Sequence, residues 1–97
     1  MFYRINFYEN STLLKVELTQ TISLFDIEFI CSLLFANNSA KESIFIEIRE
    51  YYFNNRGQCN VKMKNGKFAY NKSAKVTKDF FNIENRKLNI INHIELK

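Results

Sequence analysis

Proline is absent from this sequence, and glycine occurs only twice, at positions 57 and 66. Flexible linkers, low-complexity tracts and repeat boundaries are rich in such residues, so we expect none here. The longest apolar run, FICSLLFA, is far shorter than the ~18 residues of a membrane span, and Arg4 and Glu9 interrupt the apolar core that a signal peptide would need. Two cysteines are too few for a disulfide framework, and we expect a cytoplasmic protein with reduced thiols.

Side chains that could carry catalysis or bind a metal are equally scarce. His93 is the single histidine, and the hydrophobic pattern predicts that Cys31 and Cys59 both point into the core as inert thiols. These three residues lack the close spacing of zinc ligands, and no glycine-rich loop is present to bind phosphate. Glu47 and Glu50 lie on opposite faces of a predicted strand, which argues against a catalytic carboxylate pair. We therefore expect no enzyme activity, no cofactor and no metal site.

The composition that remains is that of one small folded domain. The chain has 97 residues, of which 46% are hydrophobic and 15% aromatic, and this supports one core but not two. We therefore expect a single globular domain over residues 1–97.

Two alternating segments near the N-terminus predict a β-hairpin. FYRINFY and LLKVELT each alternate between the two faces of a strand, and the Asn-Ser dipeptide between them can form a two-residue turn. That turn would pair Ile5 with Val16 on the core face and Arg4 with Glu17 on the other face.

The next segment, LFDIEFICSLLFANN, predicts a helix that begins after Ser23, with Asp26 three residues later in a variant of the capping box. The core side of this helix would contain Leu24, Ile27, Ile30, Cys31, Leu34 and Phe35. Phe25, Phe29 and Leu33 form a second apolar ridge. This ridge is either buried under a loop or the C-terminal segment, or it is a contact with a partner or a second copy of the chain.

SIFIEIREYYF is the clearest strand of the sequence, and a second hairpin follows it around an Asn-Gly turn. The turn predicts that Met63 pairs with Phe68 and Val61 with Tyr70, on the core side. The opposite face of this hairpin would hold Lys62, Lys64, Lys67 and Ala69.

The C-terminal part is less regular. SAKVTKDFFNIEN predicts a helix capped by Ser73 or Thr77, and residues 87–97 fit either a strand, which we favour slightly, or a helix. The predicted fold is an α+β domain. Its antiparallel sheet of five or six strands is built from hairpins and packs on one or two helices, in the order ββαβββ followed by a helix, a strand or both.

Charge is distributed unevenly along the chain. Residues 1–55 carry four basic and seven acidic side chains, a net charge of −3, whereas residues 56–97 carry ten basic and three acidic ones, a net charge of +7. Together they give the net charge of +4. The basic residues begin with RGQCNVKMKNGKFAYNKSAKVTK, which contains seven basic side chains and no acidic one.

Lysines on the hairpin of this basic segment can serve two purposes. They could attract a polyanion or an acidic protein surface, or they could only keep an edge hairpin soluble. Aromatic residues of the preceding strand could add stacking or anchoring contacts. The predicted binding surface contains Arg56, Lys62, Lys64, Lys67, Lys72, Lys75, Lys78, Tyr51 and Phe53.

These observations favour a non-enzymatic binding protein. In size and general character the chain is similar to the small inhibitors that phages and mobile elements encode against host defence, anti-CRISPR proteins among them. That likeness implies docking on a protein or a protein–nucleic-acid complex in the host cytoplasm, through the basic hairpin. The alternative is a nucleic-acid-binding regulator that places the same lysines on phosphates. A homodimer is compatible with either, and we expect no membrane partner.

Overall fold

The most regularly alternating segment of the sequence, SIFIEIREYYF, forms the central strand of the sheet in the computed structural model, which describes residues 1–78. Strands β1 (Phe2–Glu9) and β2 (Thr12–Thr19) precede the helix α1 (Leu24–Ala36). The strands that follow it are β3 (Ser43–Phe53), β4 (Cys59–Val61), β5 (Met63–Lys64), β6 (Lys67–Phe68) and β7 (Asn71–Thr77). The predicted α+β class with an antiparallel sheet of five strands is confirmed. The alternatives for residues 87–97 lie outside the described residues.

Within residues 1–78 all strand pairs are antiparallel, and β3 takes part in three of them. One edge of β3 pairs with β1, which in turn pairs with β2. The other edge is shared: β7 pairs with residues 43–49 and β4 with residues 51–53. Strands β5 and β6 form a separate two-stranded hairpin between β4 and β7.

The pairing of β1 with β2 begins as predicted and then shifts by one residue. Tyr8 pairs with Leu13, but a β-bulge follows. Beyond the bulge the pairs are Phe7 with Lys15, Asn6 with Val16, Ile5 with Glu17 and Arg4 with Leu18. The predicted pairs of Ile5 with Val16 and of Arg4 with Glu17 are therefore wrong, because Leu14 is an extra residue whose side chain packs against the core. The shift moves the side chains of Val16 and Leu18 to the face of the sheet opposite the core.

Helix α1 begins and ends at specific side chains. The Ser23 hydroxyl accepts a hydrogen bond from the backbone N–H of Asp26 at 3.2 Å, so the predicted N-cap is confirmed. At the other end Asn38 adopts a positive φ of 62°, and the N–H of Ala40 donates to the carbonyl of Leu34 at 2.9 Å. These bonds satisfy groups that the helix end would leave unpaired.

One hydrophobic core joins α1 to the sheet. Its buried residues are Ile5, Phe7, Ile27, Ile30, Cys31, Leu34, Phe35, Ala40, Ile44, Ile46, Ile48, Ala74 and Val76. The residues from β1, β3 and β7 alternate along their strands, so one face of the sheet is buried under the helix.

Of the two predicted starts of the C-terminal helix, the one at Ser73 is wrong because that segment is a strand, and the one at Thr77 leads into residues outside the described ones. Residues 71–77 form β7, with Ala74 opposite Ile46 and Val76 opposite Ile44. Both side chains are buried there, at 7% and 1% exposure. A helix beginning at Ser73 would give up these contacts and the ladder with β3, so tertiary packing overrides the local helical pattern.

Candidate interaction surface

The face of the sheet opposite α1, which we call the outer face, carries charged and aromatic side chains. They alternate with the core residues along each strand, so they point away from the helix. The outer face contains Phe2, Arg4, Asn6, Tyr8, Val16, Leu18, Phe45, Glu47, Arg49, Tyr51, Phe53, Ser73 and Lys75.

A polar network lies at the centre of the outer face. Arg4 is directly opposite Arg49 across the β1–β3 pair, an arrangement that repels unless it is compensated. The Nε–H of Arg4 donates to Asn6 Oδ1 at 3.0 Å, and Nδ2 of Asn6 donates to Glu47 Oε1 at 3.4 Å. The second carboxylate oxygen of Glu47 lies 3.4 Å from a guanidinium nitrogen of Arg49. One carboxylate and one amide thus hold two guanidinium groups in place.

An aromatic cluster adjoins this network at the end of the sheet. The ring centroids of Phe2 and Tyr51 are 6.1 Å apart, and those of Phe2 and Phe53 are 5.2 Å apart. The guanidinium carbon of Arg4 lies 5.9 Å from the Tyr51 ring centroid. Phe53 and Leu18 are 63% and 60% exposed. A shallow hollow of about 280 Å³ is lined by Phe2, Leu18, Thr19, Gln20 and Phe53. We call it the apolar hollow.

Strands β5 and β6 form a projecting hairpin, residues 63–68, which we call the arm. Its turn residues have φ values of 55° and 76°, which suit the predicted Asn65-Gly66 turn. Met63 pairs with Phe68, as predicted, and Lys64 pairs with Lys67. One face of the arm is therefore apolar and the other cationic.

The apolar face of the arm is partly open to solvent. Met63 and Phe68 are 50% and 43% exposed, so the prediction that Phe68 lies in the core is wrong. Its ring instead lies under the guanidinium carbon of Arg49, 4.7 Å from the centroid. Tyr70 does pack against the core, where its ring meets that of Tyr3 at 5.2 Å. The arm is thus connected to the outer face through one cation–π contact.

Lys62 has a different role from its neighbours on the arm. Its backbone N–H donates to the carbonyl of Glu50 at 2.8 Å, and its ammonium lies 3.4 Å from the Glu50 carboxylate. Glu50 is only 7% exposed. Lys62 therefore neutralises a buried acid and does not project beside Lys64 and Lys67 as the sequence predicts.

The other basic residues of the predicted surface are spread over the molecule. Arg56 lies in the exposed β3–β4 turn, where its N–H donates to Asn54 Oδ1 at 2.9 Å. Lys72 is on the helix side of β7, with its ammonium 5.9 Å from the Tyr70 ring centroid. Neither side chain is part of the outer face.

Two further lysines lie at the end of the sheet away from the aromatic cluster. Lys75 is on the outer face opposite Phe45, and the backbone N–H of Lys78 donates to the carbonyl of Glu42 at 2.7 Å. A polar hollow of about 450 Å³ is lined by Lys41, Glu42, Ser43, Lys75, Thr77 and Lys78. The structure thus brings Tyr51 and Phe53 together with Arg4, and Lys64 together with Lys67, but it does not gather all the predicted basic residues into one patch.

The cysteines offer no reactive pair among the described residues. Cys31 is buried as predicted, and burial raises the pKa of its thiol to about 12. Cys59 is exposed, so the prediction that it points into the core is wrong: it lies opposite Phe53, on the side of β3 away from the helix. His93 lies outside the described residues. Within residues 1–78, no three metal-binding side chains come together, and no helix has the length and apolar content of a membrane span.

The apolar ridge of α1 is on the opposite side of the helix from the core. Phe25, Phe29 and Leu33 are 60%, 59% and 49% exposed. No loop within residues 1–78 buries them. The alternative of a contact with a partner or a second copy therefore stays a prediction, and the alternative of burial under the C-terminal segment lies outside the described residues. Asp26 lies close to this ridge on the helix surface.

Sequence reasoning missed Arg4, Arg49 and the apolar hollow. The alternation of both strands already placed the two arginines opposite the core residues. Nothing local indicated that β1 and β3 are neighbours, and this long-range pairing is what brings the arginines together. Comparison of the chain with protein families, curated proteins and solved structures finds no match.

Proposed function

We propose that this chain is a non-enzymatic binding protein that docks on a protein or a protein–nucleic-acid complex through the arm and the adjoining outer face. It would act by occupying that surface, in the manner of the small phage inhibitors it is similar to in general character. The observation that carries the proposal is the two-sided arm. It exposes an apolar pair, Met63 and Phe68, beside a cationic pair, Lys64 and Lys67.

The composition of the arm supports binding over a purely solubilising role. Lysines alone are enough to keep an edge hairpin from aggregating. Met63 and Phe68 work against solubility, and methionine and aromatic residues are enriched at protein interfaces. A projecting hairpin that exposes half of a methionine and of a phenylalanine is therefore better explained by a contact that buries them.

The apolar hollow supports a protein partner. An interface is usually dominated by a few apolar anchors that fill pockets, with charged groups around them. Leu18 and Phe53 line a hollow of a size that suits one apolar side chain, and Arg4 stands near it. A partner with an exposed apolar side chain and nearby carboxylates would fit both the hollow and the cations.

Direct binding of nucleic acid is the second candidate, and the position of two lysines favours it. Lys64 and Lys67 are directly opposite each other, so their repulsion is relieved when an anion binds between or beside them. Phe53 could stack on a base, as aromatic residues do in proteins that bind single strands.

Site-specific photo-crosslinking tests the proposal. A photoreactive phenylalanine analogue replaces Phe68 on the arm in one variant and Phe53 beside the hollow in another. A third variant carries it at Ser39, an exposed loop residue that follows α1. In cells that express the chain, we expect the first two variants to yield the same crosslinked protein and the third to yield none. Equal crosslinking from Ser39, or no product from either phenylalanine position, would contradict the proposal.

A matched pair of charge variants separates the two candidates. Lys64→Glu with Lys67→Glu changes the arm, whereas Lys41→Glu with Lys72→Glu makes the same change in charge elsewhere. Fluorescence anisotropy with labelled single- and double-stranded DNA and RNA, at low and near-physiological salt, measures direct binding. The protein-docking proposal predicts that the isolated chain does not bind these oligonucleotides through Lys64 and Lys67. Salt-sensitive oligonucleotide binding that is lost in the arm variant and kept in the control variant would favour the nucleic-acid candidate.

A further inference from the structure

The polar hollow at the end of the sheet gathers three lysines from two distant parts of the chain. It has a volume of about 450 Å³ and is lined by Lys41, Glu42, Ser43, Lys75, Thr77 and Lys78. This size is within the ~300–1,000 Å³ range of small-molecule sites. The lining residues come from the segment at the start of β3 and from the end of β7, which the strand pairing brings side by side.

None of these three lysines forms an ion pair within residues 1–78. The ion pairs in that part of the chain are made by Lys15, Arg49 and Lys62 instead. The three lysines of the hollow face one acidic residue in its lining, Glu42, so three positive charges and one negative give a net charge of +2. Ammonium groups that share a hollow repel one another, and an anion with two or more charges would relieve this repulsion.

Glu9 holds one wall of the hollow in place. Its carboxylate accepts hydrogen bonds from the backbone N–H groups of residues 41–43 at 2.7 to 3.1 Å. Successive N–H groups that converge in this way typically bind an anion, and here a carboxylate of the chain itself takes that position. An external anion must therefore be held by side chains. With Glu9 counted, the local net charge falls from +2 to +1 and is still positive.

The other wall is fixed by the pairing of β3 with β7. Ser43 is directly opposite Thr77, and Lys75 is directly opposite Phe45, all on the outer face. The Ser43 hydroxyl thus lies on the same face as the Lys75 side chain, one pair further along the ladder. Lysine ammonium and serine hydroxyl groups are common donors to phosphate oxygens. The hollow therefore combines the two kinds of donor that a phosphate group needs.

We propose that the polar hollow binds a phosphate group. Its ligands would be Lys41, Lys75, Lys78 and Ser43. The phosphate can belong to a free oligophosphate or to a nucleotide. Phe45 is 41% exposed beside the hollow, so the base of a nucleotide would stack on its ring.

This proposal goes beyond docking through the arm and does not depend on it. The hollow is at the end of the sheet away from the aromatic cluster, next to residues 43 and 77, whereas β4, which leads into the arm, pairs with residues 51–53 of β3. The photo-crosslinking positions, Phe53 and Phe68, do not line the hollow. Either proposal can therefore fail without the other.

An NMR titration of the ¹⁵N-labelled full chain tests the site. Sodium tripolyphosphate is the probe, and sodium chloride at the same ionic strength controls for screening. We expect saturating shifts of the amide signals of residues 41–43 and 75–78, and much smaller shifts in the arm. Lys75→Gln with Lys78→Gln should weaken binding about tenfold, because two partly exposed ion pairs are lost. Lys64→Gln with Lys67→Gln removes the same charge from the arm and should change the affinity by less than about twofold.

Two results would overturn the proposal. Equal weakening by the two double substitutions would show that the probe responds to net charge and not to the hollow. The second is the absence of saturating shifts at residues 41–43 up to about 10 mM probe, a concentration that detects even millimolar binding. Ser43→Ala changes no charge, so weaker binding by this variant would support a specific site over general attraction.

Two comparisons distinguish the sources of the phosphate. Adenosine triphosphate without metal replaces the probe: tighter binding that is lost in Phe45→Ala indicates a nucleotide, whereas affinity equal to that of tripolyphosphate indicates a free oligophosphate. The second comparison uses the charge variants of the anisotropy experiment. Oligonucleotides held by the hollow should dissociate from the Lys41→Glu, Lys72→Glu variant and stay bound to the arm variant, which is the reverse of binding through the arm.

Discussion

The ammonium of Lys62 lies 3.4 Å from Oε2 of Glu50, a carboxylate whose side chain is only 9% exposed. Glu50 continues the alternation of Ile44, Ile46 and Ile48 on β3, so the pleat of the strand places an acid on the buried side. Burial of a carboxylate is costly unless a cation or hydrogen bonds compensate for it. The basic segment therefore stabilises the fold as well as presenting charge at the surface, because its first lysine compensates a buried carboxylate.

Loss of the Lys62 ammonium should destabilise the protein. Lys62→Met keeps most of the aliphatic stem but leaves Glu50 without this cation. Because Lys62 is itself 39% exposed, we expect a loss of about 1–2 kcal/mol in the free energy of unfolding, less than for a fully buried pair. Urea denaturation measures it, and Lys64→Met on the exposed arm should change stability by less than about 0.5 kcal/mol. Equal effects of the two substitutions would show that the ion pair contributes nothing.

Glu9 should make stability depend on pH in the acid range. Its carboxylate accepts hydrogen bonds from the backbone N–H groups of Ser43, Glu42 and Lys41 at 2.7 to 3.1 Å, and these bonds lower the pKa of Glu9 below 4.5. Because the folded pKa is below the unfolded one, the stabilisation is fully present above about pH 4.5 and is lost as pH falls through the folded pKa.

The variant Glu9→Gln tests this dependence. It keeps one acceptor oxygen but cannot ionise, so its melting temperature should be lower than that of the wild type at pH 7. The difference between the two proteins should shrink as pH falls from 5 to 3, as thermal unfolding followed by circular dichroism would show. A difference that stays constant with pH would mean that the ionised carboxylate is not what holds the loop.

The bulge in β2 predicts that a leucine can be replaced by a charged residue at little cost. Leu18 is 60% exposed on the outer face, so Leu18→Lys should change the free energy of unfolding by less than about 0.5 kcal/mol. Ile48→Ala, at a fully buried position of β3, should cost about 2–5 kcal/mol. A cost above about 2 kcal/mol for Leu18→Lys would support the regular register that places Leu18 in the core.

The two cysteines should differ sharply in reactivity. Iodoacetamide should alkylate the exposed Cys59 of the folded protein, whereas Cys31, buried and with its pKa raised to about 12, should react only after unfolding. Mass spectrometry should therefore find one adduct under native conditions and two in denaturant. A Cys59→Ser variant that still takes up one adduct when folded would show that Cys31 is accessible.

Much of the fold could be predicted from local pattern. The alternation of SIFIEIREYYF fixed β3, Ser23 and Asp26 fixed the start of α1, and the Asn-Gly dipeptide fixed the turn of the arm. Each of these signals depends on residues close together in sequence, where backbone preferences and hydrogen bonds act directly. The alternative in which the C-terminal helix begins at Ser73 was wrong, because residues 73–77 form a strand only through their pairing with β3.

What the sequence by itself determined is the strands β1, β2 and β3, the arm, the helix with its N-cap and the turns, together with the scarcity of catalytic and metal-binding side chains. Only the tertiary structure decided which of these residues meet. Long-range pairing placed Arg4 opposite Arg49, a bulge at Leu14 reversed the faces of β2, and Lys62 turned to Glu50. The physical reason is that a local pattern specifies which faces a segment has, whereas its neighbours are chosen by packing and by the need to compensate buried charge.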